Sequence, residues 1–207
     1  MQATTKIFCI GANKTGTTSL EAFFKSLGFV LGDQAKGELL IRDWAARNFA
    51  PIVELARTAQ VFQDIPFSLP FTYVALDETF HGAKFILSVR DDAEQWYRSL
   101  TRFHANVIGK GHLPTAADLK ECPYRHRGYL FEAMRVIYGI SAEEPYEKSR
   151  LIAQYENHNR AVADYFRQRP DSLLTLNLSR ENAAAKIMNF LKLPYSGELM
   201  PHLNRSV

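Results

Sequence analysis

Lys6-Ile7-Phe8-Cys9-Ile10-Gly11-Ala12-Asn13-Lys14-Thr15-Gly16-Thr17-Thr18-Ser19-Leu20 carries an apolar run straight into two glycines with four residues between them. The run Ile7–Ile10 has the length and composition of a buried strand, and Gly11 ends it. From Thr17 the period changes, with Leu20, Phe23, Phe24 and Leu27 falling at helical spacing and Gly28 placed to stop the helix in a left-handed conformation. Strand, glycine loop and helix therefore form the opening unit. Gly11 and Gly16 have the Gly-x-x-x-x-Gly spacing of a phosphate loop, in which the turn points successive N–H groups inward. The helix N-terminus adds unpaired donors and the positive end of its dipole. Lys14 can bring an ammonium to the same anion, and Thr17 and Thr18 offer hydroxyls.

What this loop lacks is equally informative. A nucleoside-triphosphate loop places Lys directly after the second glycine, followed by Ser or Thr to hold magnesium. Here Thr17 occupies the lysine place and Lys14 lies inside the loop. No apolar strand ends in a convincing magnesium-binding carboxylate, Asp64 being the nearest candidate. A metal-dependent triphosphatase is disfavoured, and no metal is expected.

Outward from the loop, Gln60–Gln63, Ala83–Val89 and Ser172–Leu176 are further strand candidates. Between them the periodicity predicts helices over Glu38–Phe49 and Ile52–Ala59, separated by Pro51, and over Phe71–Phe80 and Asp91–Arg102. Helices are also predicted over Tyr129–Tyr138, Tyr146–Arg167 and Asn182–Leu191. Trp96, Leu100 and Phe103 mark the inner side of the fourth of these helices, with Asp91 or Asp92 as its cap, and Ile152, Tyr155, Val162 and Phe166 mark the core side of the long one. Short β-rich runs alternating with helices predict an α/β fold: a P-loop NTPase-like three-layer sandwich with a central, mostly parallel sheet flanked by helices. Such sheets bind ligands beyond the carboxyl ends of their strands. Gly11, Asp64 and Arg90 each follow a strand candidate, so the fold brings them to one edge.

The 207 residues read as one domain, with Gly109–Arg127 as an excursion within it rather than a boundary. A hydrophobic fraction of 46% is ample for a core. The formal charge of +3 suits an anionic ligand and is too small and too scattered for a nucleic-acid surface. Cys9 and Cys122 are the only cysteines; they could form one bridge, but they make neither a disulfide scaffold nor a metal motif. Met1–Lys6 is short and polar, neither leader nor spanning segment, so a cytoplasmic protein is expected. Oligomeric state is not legible.

Lys14-Thr15-Gly16-Thr17-Thr18 resembles the Lys-Ser/Thr-Gly-Thr-Thr core of the sulfotransferases that use 3′-phosphoadenosine-5′-phosphosulfate (PAPS). The strand and helix Ala83–Leu100, the stretch Tyr155-Glu156-Asn157-His158-Asn159 with Tyr165-Phe166, Leu173–Leu176, and Pro201-His202-Leu203-Asn204 are similar to further segments of that family. The resemblance implies that Lys14, Thr15, Gly16, Thr17 and Thr18 grip the 5′-phosphosulfate and that Arg90 meets the 3′-phosphate. Many relatives place a serine eight residues after that arginine; here the eighth residue is Arg98 and Ser99 is the ninth. One residue along a helix turns direction by about 100°, so Ser99 reaches from a different turn or Arg98 takes its work. The glycine-rich carboxyl-terminal loop of some cytosolic relatives is not found.

In sulfuryl transfer, negative charge builds on the bridging oxygen of the departing nucleotide, and Lys14 suits its stabilisation. An acceptor hydroxyl or amine benefits from a base. Asp64, in Gln63-Asp64-Ile65-Pro66, is the first candidate and His104 the second; Asp64 can instead cap a turn or pair with Lys14. A small-molecule, lipid or carbohydrate acceptor is expected, with no transmembrane segment and no nucleic-acid partner. A nucleotide-dependent phosphotransferase or NTPase, or a non-catalytic nucleotide-binding scaffold, are the competing readings.

Overall fold

The four strand candidates become one parallel sheet: β1 Ile7–Cys9, β2 Val61–Gln63, β3 Lys84–Ser88 and β4 Leu173–Leu176, in the order β2-β1-β3-β4. This is a computed structural model, and it describes residues 5–180 and 182–201. The expected polar residues 1–4 and most of the tail from residue 201 lie outside the described residues.

β1 sits between β2 and β3, with Cys9 opposite both Gln63 and Ile86. Continuing the register, Ile10 N donates to Ile86 O at 2.8 Å, which brings Gly11 alongside Ser88. The strands alternate faces. Ile7 and Cys9 pack with Leu20, Phe23 and Phe24 of α1 (Thr17–Ser26) and with Ala184, Ile187 and Met188 of α10 (Ala183–Phe190). Phe8 turns the other way, into a ring cluster with Phe62, Phe67, Phe80 and Phe85 at centroid distances of 5.5–6.0 Å. Phe85 in turn meets Phe166 at 4.8 Å. Each fully buried ring contributes about 1.5–3 kcal/mol by leaving water. An all-parallel sheet covered by helices is the α/β fold expected.

The remaining helices are α2 Gln34–Leu39, α3 Ile41–Ala45, α4 Ala50–Ala56, α5 Thr72–Thr79, α6 Ala93–Val107, α7 Ala116–Glu121, α8 Tyr129–Tyr138 and α9 Lys148–Tyr165. Pro51 does not separate two helices; it lies in the first turn of α4, where its missing N–H costs nothing. The predicted helix from Glu38 is instead α2 and α3, and α2 opens at Asp33, whose carboxylate accepts from Lys36 N. Asp92 rather than Asp91 caps α6, accepting from Gln95 N at 2.6 Å. Phe103 was expected inside but is 40% exposed, leaving Trp96 and Leu100 as the buried marks of that helix. In α9 Leu151 is buried where Ile152 was expected, one position round the helix. The stretch 109–127, the expected excursion, holds α7.

The described residues divide into two compact units: the segments up to Arg90 and from Asn159 onward form the first, Asp91–His158 the second. The sheet and the glycine loop belong to the first. In the second, Trp96 stacks on Tyr155 at 4.6 Å, and Tyr97 Oη donates to Tyr146 O at 2.9 Å. No helix among the described residues is long and apolar enough to cross a membrane.

Candidate functional site

The loop between β1 and α1 has the backbone its glycines foretold. Gly16 is the N-cap of α1 with φ 102°, in the left-handed region, and offers no side chain to the first-turn N–H groups. The donors of Thr17 and Thr18 therefore remain for a bound anion. Lys14 also has a positive φ of 67°. Gly11 is required for a different reason: a Cβ there would lie 2.3 Å from Ser88 Oγ and 2.4 Å from Ser88 O. Thr17 is buried and Thr18 exposed.

Because β1 is flanked by β2 and β3, the ends of three strands meet here. Arg90 Nε donates to Lys14 O at 2.6 Å, so the arginine following β3 is tied to the loop backbone. Asp64, at the end of β2, accepts from Ile65 N at 2.9 Å and has φ 62°. Lys14 and Asp64 are both half-buried and feel one another's charge. Loss of water pulls the Lys14 ammonium down to about 8, helped by the Arg90 guanidinium and opposed by Asp64. Loss of water likewise pushes the Asp64 carboxyl up to about 6; Glu38 and Glu21 add to this, and the Ile65 N–H and Lys14 oppose it. At neutral pH the site thus holds a cation and an ionised carboxylate whose proton affinities have been drawn together.

The family model for the sulfotransferase domain matches residues 6–207 of this chain. The chain belongs to the sulfotransferase family. No curated protein matches it.

In this sulfotransferase-family chain the sequence-designated residues divide between the two units. Lys14, Thr15, Gly16, Thr17, Thr18, Asp64 and Arg90 lie together in the first. Arg98, Ser99 and His104 lie on α6 in the second, where Arg98 is exposed and Ser99 half-buried. His104 is 7% exposed, and its Nδ1 shares a 2.8 Å hydrogen bond with Tyr146 Oη. Burial pushes that phenol up, so it stays protonated at neutral pH. Thr15 is also already engaged: its hydroxyl bonds Ala12 O at 2.6 Å and Ser88 Oγ at 2.7 Å.

Sequence reasoning missed Ser88, Gln34 and Glu38. Ser88 stands two residues before Arg90 on an extended segment, and that spacing signals a shared face. Gln34 Nε2 donates to Glu38 Oε1 at 2.8 Å and lies 3.5 Å from Asp64 Oδ2. Glu38 is only 4% exposed. Gln63 Oε1 is buried with no hydrogen-bond partner, while its Nε2 donates to Gln34 Oε1 at 3.0 Å. Cys9 and Cys122 are both free thiols. Burial raises Cys9 to about 12, which removes it from chemistry at neutral pH. Among the described residues no three His, Cys, Asp or Glu side chains are grouped to hold a metal.

Proposed function

We propose that the protein is a PAPS-dependent sulfotransferase that moves a sulfuryl group to a hydroxyl or amine of a small molecule, lipid or carbohydrate. The observation that carries this reading is the meeting of Lys14 and Asp64 beside an uncapped helix N-terminus, with their proton affinities shifted toward each other. The donor supplies an SO3 group on a phosphate leaving group; an acceptor oxygen or nitrogen bonds to sulfur as the sulfur–oxygen bond to that phosphate breaks.

Each residue has a stated task. The loop amides and the Thr17 and Thr18 hydroxyls hold the 5′-phosphosulfate oxygens, and Lys14 bears on the charge that grows at the bridging oxygen. Arg90 takes the 3′-phosphate, with Arg98 or Ser99 the further candidates. Asp64 receives the acceptor's proton, and a carboxylate titrating near 6 is far better matched to that task at neutral pH than an ordinary aspartate. His104 is the alternative base, but its Nδ1 is already committed to Tyr146. The unmet Gln63 Oε1 suits an O–H or N–H donor on the acceptor. The family match over residues 6–207 includes segments of both units, which supports reading the chain as one sulfotransferase domain. Two free thiols fit a cytoplasmic setting.

Calorimetry with 3′-phosphoadenosine-5′-phosphate, 5′-AMP and magnesium-ATP tests the nucleotide. Preference for the bisphosphate without magnesium supports the reading, whereas preference for magnesium-ATP replaces it with phosphoryl transfer. An acceptor panel with labelled sulfate donor then separates an enzyme from a binder.

A further inference from the structure

Thr15 and Ser88 lie at an awkward place for the simplest version of this mechanism. If Thr15 gripped the phosphosulfate through its side chain, its hydroxyl would have to be available. Instead Thr15 is 2% exposed and its Oγ1 is shared between Ala12 O and Ser88 Oγ, at 2.6 and 2.7 Å. Ser88 is fully buried at the end of β3, and its Oγ would be 2.3 Å from any Cβ at Gly11. One serine thus sets the first glycine of the loop by close packing and the residue after Lys14 by a hydrogen bond. A third tie, Arg90 Nε to Lys14 O at 2.6 Å, comes from the same strand end.

We propose that Ser88 is a positioning residue for sulfuryl transfer: through Thr15 Oγ1 it fixes the loop backbone on which Lys14 and the anion-binding amides are mounted. Lys14 itself sits at φ 67°, a conformation that a non-glycine residue holds only when its surroundings impose it. The ties to Thr15 on one side and to the Lys14 carbonyl on the other supply that imposition. Thr15 is thereby reassigned from ligand contact to latch, a change from what the family resemblance implies. This inference rests on the sulfotransferase reading for its consequence in turnover, but the latch itself exists without any nucleotide.

The test is a double-mutant cycle on Thr15→Val and Ser88→Ala, with Thr15→Ser as the variant that keeps the hydroxyl. Three measurements are made: amide exchange of residues 12–16 in the ligand-free protein, affinity for 3′-phosphoadenosine-5′-phosphate, and kcat and KM for the donor. Thr15→Val and Ser88→Ala should each speed loop exchange and lower kcat, both by about tenfold, with the double variant no worse than either single one. Thr15→Ser should restore wild-type values, and far-ultraviolet circular dichroism should show all variants folded. Loop exchange unchanged in Ser88→Ala, or multiplicative losses in the double variant, would overturn the latch. A Thr15→Val protein that loses nucleotide affinity while Ser88→Ala keeps it would return Thr15 to direct contact. Failure of the wild-type protein to bind the bisphosphate would instead reject the sulfotransferase reading and leave the exchange result standing.

Discussion

Replacing Asp64 by Asn should make the protein more stable at neutral pH while removing most of its activity. The carboxyl of an ordinary aspartate titrates at 3.8, and here it is pushed up to about 6. A shift of this size corresponds to about 3 kcal/mol of penalty for keeping the ionised form in the folded chain. The folded state binds its proton more tightly than the unfolded state between these two values. Stability therefore falls as pH rises through that window, and the loss is complete above the folded value. About 2 kcal/mol of the effect lies between pH 4.5 and pH 7.5. Asn keeps an oxygen to accept from Ile65 N, now at 2.9 Å, and carries no charge to desolvate. The stability difference between variant and wild type, from urea unfolding, should rise in favour of Asn by about 2 kcal/mol across that range. In a chain of this length, that is about 4–8 °C in Tm. A difference independent of pH, or an Asn variant less stable at pH 7.5, would refute the assignment of burial as the main cause.

Four other outcomes follow from the same site. Lys14→Ala should lower turnover by orders of magnitude, and wild-type kcat/KM should follow a bell with limbs near 6 and 8, the Asp64 and Lys14 values; a flat profile between pH 5 and 9 would contradict both roles. Arg90→Ala should weaken nucleotides bearing a 3′-phosphate more than 5′-AMP in calorimetry, and equal losses would remove that contact. Gly11→Ala should displace the loop, because the new Cβ would stand 2.4 Å from the Ser88 carbonyl, and bisphosphate binding should fall at least tenfold; unaltered affinity would show that β1 and β3 can separate there.

The loop was legible because each of its parts is local: an apolar run, two glycines at fixed spacing, and a change of period at Thr17. Its neighbours were legible in outline, since Asp64 and Arg90 each close an apolar run, and a parallel order with β1 in the middle brings both to Gly11. Glu38 was not. It is an acidic residue in a short helix; its bond to Gln34 is an ordinary i,i+4 helix pair, but nothing nearby in sequence shows that this turn lies beside Asp64. The helix α7 carries one local sign, the reciprocal capping box of Thr115 and Asp118, but it is too short to show a periodicity amid the surrounding glycine, proline and charge. Ile152 and Leu151 exchanged places because a one-residue error on a helix turns the presumed inner face by about 100°.

The order β2-β1-β3 also dictates when the anion cradle can come into being. Parallel neighbours need long crossover connections, so residues 9, 63 and 86 must be gathered from distant parts of the chain before the strand ends align. During synthesis the lysine loop is made first, and its support from Ser88 and Arg90 arrives only when the third strand emerges. The nascent chain carries its signature long before it owns a grip.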